Sequence, residues 1–101
     1  MNVYHITTTK AWEAAEDPGG YRAASLESEG FIHCSFKDQL SGVLERYYRG
    51  AGELLVLEID PARLRAEMKT EPSTGGEDYP HIYGPINKDA VIGTAAVAAP
   101  A

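Results

Sequence analysis

The sequence predicts a single α+β domain of about five strands and two main helices. Three observations predict it. Short runs of aromatic, aliphatic and β-branched residues recur in VYHIT (3–7), FIHCSF (31–36), ELLVLEID (53–60) and the stretch from Ala90 to Val97, the composition of strands. The segment from Lys37 to Arg49 places Leu40, Val43, Leu44, Tyr47 and Tyr48 at the i, i+3, i+4, i+7, i+8 spacing of an amphipathic helix. Gly, Pro and Asn break the chain between these runs, and no repeat or linker divides it.

Val3 to Thr7 alternates and should be the first strand. A helix follows, capped by Thr8 or Thr9, with Ala11, Trp12 and Ala15 on its apolar face and Asp17-Pro18-Gly19-Gly20 as its stop. Tyr21 to Ala24 reads as extended, and Ser25 can cap a turn from Leu26 to Glu29 that ends at Gly30. Phe31 to Phe36 is the second strand. The Lys37 to Arg49 helix carries a Glu45–Arg49 pair on its wet side and stops at Gly50 and Gly52. Glu53 to Asp60 holds four consecutive apolar residues and should be a central strand covered on both faces. Pro61 to Leu64 suits a turn, and Arg65 to Glu71 a polar strand. Pro72 to Asp78 has the composition of a mobile loop. Tyr79 to Tyr83 follows, Gly84-Pro85 breaks it, Asn87 to Asp89 turns, and Ala90 to Val97 is the last strand.

A chain of 101 residues can bury one core. Its net charge of −6, with scattered basic residues, argues against a nucleic-acid surface while leaving room for a small anionic ligand held by one or two local cations. No apolar run approaches the ~20 residues of a membrane span. The start enters a strand without a basic n-region, and Cys34 is the single cysteine; both point to the reducing cytoplasm.

Each histidine lies in one of the apolar runs with a hydroxyl residue two positions on: His5 with Thr7, His33 with Ser35, His81 with Tyr83. In a strand such pairs share a face, so neighbouring strands would line one polar cleft with them. Each histidine taken singly also reads as a hydrogen-bonded core residue. Zinc is disfavoured because close ligand pairs such as H-x-x-x-H are missing, and no metal is expected. Cys34 beside His33 suggests a Cys–His nucleophile, but strand parity turns Cys34 toward Ile32 and Phe36, as a small buried hydrophobe. No phosphate-binding glycine motif or nucleophile elbow occurs. Tyr47, Tyr48 and Trp12 fit helix cores, whereas Tyr79 and Tyr83 are candidates for a ligand pocket.

Through VYHIT, GFIHCS, the Tyr47-Tyr48 helix and PHIYGPI the chain resembles the small bacterial family called domain of unknown function 952 over nearly its whole length. That family in turn resembles the ADP-ribosyltransferase superfamily, which implies a split mixed sheet with NAD bound between its halves. Tyr4-His5-Ile6-Thr7 resembles the Y-H-G-T of RNA 2′-phosphotransferases, and Phe31-Ile32-His33-Cys34-Ser35 their later H-V-H-L-S. The resemblance implies that His5 contacts the NAD ribose and that His33 lines the nicotinamide side. Pro80 to Pro85 is similar to the terminal pattern of poly-ADP-ribose polymerases, with His81 near their catalytic Glu. Two departures stand out: Ile6 replaces a glycine, and the Glu is missing. Cleavage of the nicotinamide bond passes through an oxocarbenium-like state that a carboxylate normally stabilises, so a histidine there suits acid–base work or a phosphate.

The expectation is therefore a domain that binds NAD, ADP-ribose or a related small nucleotide, with His33, His81 and Tyr83 in catalytic positions and His5, Thr7, Ser35 and Tyr79 holding the ligand. Transfer or NAD cleavage would follow if chemistry is retained. The rival is a non-catalytic binding or interaction module on the same fold, with a metal-dependent hydrolase a distant third.

Overall fold

The computed structural model describes residues 1–16 and 18–101; Asp17, within the expected helix stop, lies outside them. The strands form two three-stranded sheets in which every pairing is antiparallel, so a mixed sheet is not what the chain builds. The first sheet has β1 (Val3–Thr7) and β6 (Val91–Ala98) on either side of β3 (Glu53–Ile59). In the second, β5 (Asp78–Tyr83) lies between β2 (Ile32–His33) and β4 (Glu67–Pro72). The sheets meet at one seam, where Tyr4 and Ser35 exchange backbone hydrogen bonds of 2.8 and 2.7 Å.

The seam explains why the expected six-residue second strand is only two residues long. Ile32 and His33 pair with β5, and Cys34 N still donates to Pro80 O at 3.0 Å. Ser35 then leaves β5 and takes β1 as its partner. Strand parity does the rest. Val3 and Leu57 of the first sheet and Ile32, Cys34 and Ile82 of the second face inward, where their burial drives the sheets together over the main core. On the opposite face of the first sheet, Ile6, Leu54 and Val56 pack under the apolar stripe of α3 (Leu40–Tyr47), through Leu40, Val43, Leu44 and Tyr48. β3 is thus covered on both faces, which its unbroken apolar run required.

The long helix expected from Lys37 begins as a 3-10 turn at Lys37–Gln39, where Gln39 Oε1 accepts from Phe36 N at 2.9 Å, and becomes α-helical at Leu40. The first helix is shorter than its pattern suggested: α1 runs Thr9–Glu13, with Thr8 Oγ1 accepting from Ala11 N. α2 (Ala24–Glu29) ends at Gly30 in the left-handed region, φ 91°. Ser25 does not cap it; its hydroxyl donates to Phe31 O at 2.8 Å. The expected loop from Pro72 to Asp78 is a tight connection between β4 and β5 containing a 3-10 turn at Thr74–Gly76. Gly20, at φ +83°, lies so close to the neighbouring chain that a Cβ there would stand 2.7 Å from Ile86 O, because Tyr21 and Ile86 exchange backbone hydrogen bonds beside it.

Candidate functional site

The outer faces of the two sheets diverge from the Tyr4–Ser35 seam and bound an open cleft of about 340 Å³, within the ~300–1,000 Å³ usual for ligand pockets. Tyr4 and Ile6 of β1 form one wall and Val43, Tyr47 and Tyr48 of α3 the next. His33 and Tyr79 come from the second sheet and Cys34 and Ser35 from the segment that crosses from it to β1, with Ser73 at the rim. Tyr47 fits the apolar helical spacing, yet it is 55% exposed and faces the cleft rather than the core. Arg46, one position earlier, donates from Nη2 to the Tyr79 hydroxyl at 2.6 Å, and its guanidinium stands 5.8 Å from the centre of the Tyr47 ring. The cleft therefore has aromatic faces, hydroxyls and a cation tied to its wall, and among the described residues none that lines it is a carboxylate.

His5 and Thr7 lie on the other side of β1, with Val3, and do not reach the cleft. His5 is buried between the layers. Its Nδ1 is 2.6 Å from His33 O, and its Nε2 is 3.0 Å from the Tyr21 hydroxyl, which lies 2.9 Å from Thr7 Oγ1. Burial holds the His5 pKa down at about 4, against a smaller upward pull from the His33 carbonyl. The ring is accordingly neutral near pH 7. A neutral ring that donates from Nδ1 must accept at Nε2, so the Tyr21 proton goes to His5 and the Thr7 hydroxyl turns its own toward Tyr21. His5, for which the family resemblance implied a ribose contact, does not line the cleft and clasps the seam from inside.

His33 and His81 are brought together. They are register partners on β2 and β5, with ring centroids 5.4 Å apart and planes nearly perpendicular at 83°. The His33 side chain is 48% exposed and its Nε2 is 3.1 Å from Glu29 Oε2, an i, i+4 contact that bends back to the end of α2. His81 is 4% exposed, because the Phe31 ring stacks on it at 4.2 Å and 24°. Pairing puts His81 on the cleft-facing side of its sheet, between Tyr79 and Tyr83 along the strand. Tyr83 lies farther along, with the Lys69 ammonium 4.9 Å from its ring centre.

A residue outside the sequence expectation completes this row. Glu71 Oε1 accepts from the Tyr83 hydroxyl and from His81 Nδ1, the latter at 2.9 Å. These two donors, the Tyr83 hydroxyl first, hold the Glu71 carboxyl below its ordinary range, and the same bond raises the Tyr83 phenol. Antiparallel pairing thus brings a carboxylate from β4 beside His81 and Tyr83. The signal in sequence was faint: Glu71 sits in a polar segment whose register with β5 is set by the 72–78 connection.

Cys34 faces inward, opposite to His33, and burial pushes its thiol pKa up. Among the described residues no group of three or more His, Cys, Asp and Glu side chains is placed to hold a metal ion. No described helix is long and apolar enough to cross a membrane.

Comparison with known proteins places the chain. No curated protein matches it. The crystal structure of protein CC0527 from Caulobacter crescentus is similar to it over 95% of this chain and 85% of that one, at 30% identity and a TM-score of 0.84. A double mutant of CC0527 gives the same TM-score and coverage at 29% identity. The solution NMR structure of CC0527 gives 0.76, with 30% identity over 93% and 82% of the two chains. The profile of the family described as protein of unknown function (DUF952) matches residues 6–94, and with that match the chain belongs to this family.

Proposed function

We propose that the domain binds NAD, ADP-ribose or a related nucleotide in the cleft between its two sheets. One observation carries this reading: in a chain of net charge −6, the cleft has tyrosine faces, hydroxyls and an attached arginine but, among the described residues, no carboxylate in its lining. Tyr47 and Tyr48 offer surfaces on which a base or nicotinamide ring can stack. Arg46, bonded to the Tyr79 hydroxyl at the cleft wall, is a cation for a pyrophosphate, to which a guanidinium can give two parallel hydrogen bonds.

Transfer of ADP-ribose or cleavage of NAD extends the same reading. It is supported by Glu71, which stands beside His81 and Tyr83 as negative charge near the cleft. The competing view, a binding module without chemistry, makes the same prediction for affinity and the opposite one for turnover.

Calorimetry and thermal shift with NAD, ADP-ribose and adenosine test the binding, since a ligand that binds only the folded state raises the melting temperature. Chromatography of NAD after prolonged incubation with protein and small-molecule acceptors tests the chemistry. Saturable binding together with released nicotinamide supports the enzyme, and binding alone supports the module. If none of these compounds binds, the reading fails.

A further inference from the structure

Among the described residues, the Nε2 atom of His81 is the buried side-chain nitrogen or oxygen without a hydrogen-bond partner. Leaving such an atom unpaired is costly, so its persistence calls for an explanation. The surroundings restrict what it can be. Glu71 Oε1 accepts a hydrogen bond from His81 Nδ1 at 2.9 Å, and Glu71 is itself held by the Tyr83 hydroxyl. With Nδ1 protonated in the neutral ring, Nε2 carries the lone pair and is an acceptor.

The direction of Nε2 follows from the ring. The two nitrogens of an imidazole point in nearly opposite directions. Nδ1 points toward Glu71 on β4, so Nε2 points toward β2, where His33 is the register partner and a wall of the cleft. Phe31, the residue after Gly30, stacks over the face of the same ring.

We infer that His81 Nε2 is the acceptor for a hydrogen-bond donor of the cleft's ligand, a hydroxyl or an amide N–H, and that Glu71 is the positioning residue that fixes the accepting tautomer. The inference rests on the nucleotide reading of the cleft and adds to it the polarity of one contact. A ligand entering beside His33 meets Nε2 edge-on, in the plane of the ring where its lone pair lies, while Phe31 keeps its place on the ring face. NAD carries donors in its ribose hydroxyls, its nicotinamide amide and its adenine amine, and the nicotinamide part can be tested apart from the rest.

The experiment is nitrogen-15 NMR of the imidazoles with NAD, ADP-ribose and nicotinamide as separate probes, together with calorimetry. The free protein should show His81 protonated at Nδ1 and bare at Nε2. A bound probe should shift the Nε2 resonance in the direction of a new hydrogen bond. A shift with nicotinamide assigns the donor to the amide, and one with ADP-ribose but not nicotinamide assigns it to the ADP-ribose part, a ribose hydroxyl or the adenine amine. Glu71→Ala should release the tautomer and weaken binding roughly tenfold. As it alters a side chain only partly enclosed, it keeps the test decisive if His81→Ala does not fold.

Three results overturn the inference. A free His81 protonated at Nε2 removes its premise. Probes that perturb His33 and Tyr79 and bind His81→Ala or Glu71→Ala as tightly as the native protein refute this contact and leave the nucleotide reading standing. Probes that perturb none of these residues refute both.

Discussion

The imidazole of His5 reaches across from β1 to the backbone carbonyl of His33 on β2, 2.6 Å from Nδ1 to oxygen, and so fastens the two sheets behind the cleft that His33 lines in front. One histidine serves the frame while the other faces the ligand space, although both come from the same His-x-hydroxyl pattern.

Stability should fall with pH because of His5. In the unfolded chain its imidazole titrates near 6.5, and in the folded protein at about 4, depressed by burial. Between those values the unfolded state binds a proton that the folded state refuses. The contribution is therefore complete above pH ~6.5 and is lost as pH falls toward ~4, by an amount on the order of 3 kcal/mol. Urea unfolding at a series of pH values measures it, and His5→Gln, which cannot titrate, should flatten this part of the profile.

Gly20→Ala should destabilise the fold by more than about 1–3 kcal/mol. Two effects combine: a positive φ that side chains resist, and a Cβ placed 2.7 Å from Ile86 O. Chemical denaturation compared with Gly75→Ala separates them, since a Cβ at Gly75 meets nothing within 4 Å and should lose only the backbone term.

Cys34 should resist thiol reagents in the native protein. Its side chain is enclosed and its thiol is held in the protonated form by burial. A colorimetric thiol assay should show release only after denaturant is added, and rapid labelling without it would contradict the packing described above.

Arg46→Ala should lower the affinity for NAD or ADP-ribose by roughly tenfold while leaving the melting temperature within a degree or two. The guanidinium lies on the surface, yet it is tied to the Tyr79 hydroxyl at the cleft wall. Calorimetry and a thermal scan give the two readings; an unchanged affinity would remove Arg46 from the site.

Much of this arrangement could be read along the chain. Val3–Thr7, Glu53–Ile59 and the Leu40–Tyr47 stripe declare themselves by period, because one or both of their faces are buried. Phe31 to Phe36 misled for a physical reason: strand propensity is local, whereas the exchange of partners at Ser35 depends on β1, which is remote in sequence. Tyr47 satisfies helical spacing but lies at the edge of the stripe, where periodicity cannot tell a core contact from a cleft wall. Pairing His33 with His81 and His81 with Glu71 required strand order and register. Parity alone put His5 with them, and parity cannot say which side of a strand is the interior.

The strand order also dictates when the domain can assemble. The β4–β5 pairing is the one contact between strands adjacent in sequence, closed by the short Ser73–Glu77 connection. Its hairpin can form as soon as Tyr83 has been synthesised. β3 must instead recruit β1 from the beginning of the chain and wait for β6, near its end. Non-local pairings of this kind slow folding. The hairpin, on which Glu71 and His81 already lie on the same face one residue pair apart, is the natural first structure, and the histidine clasp at the seam closes late.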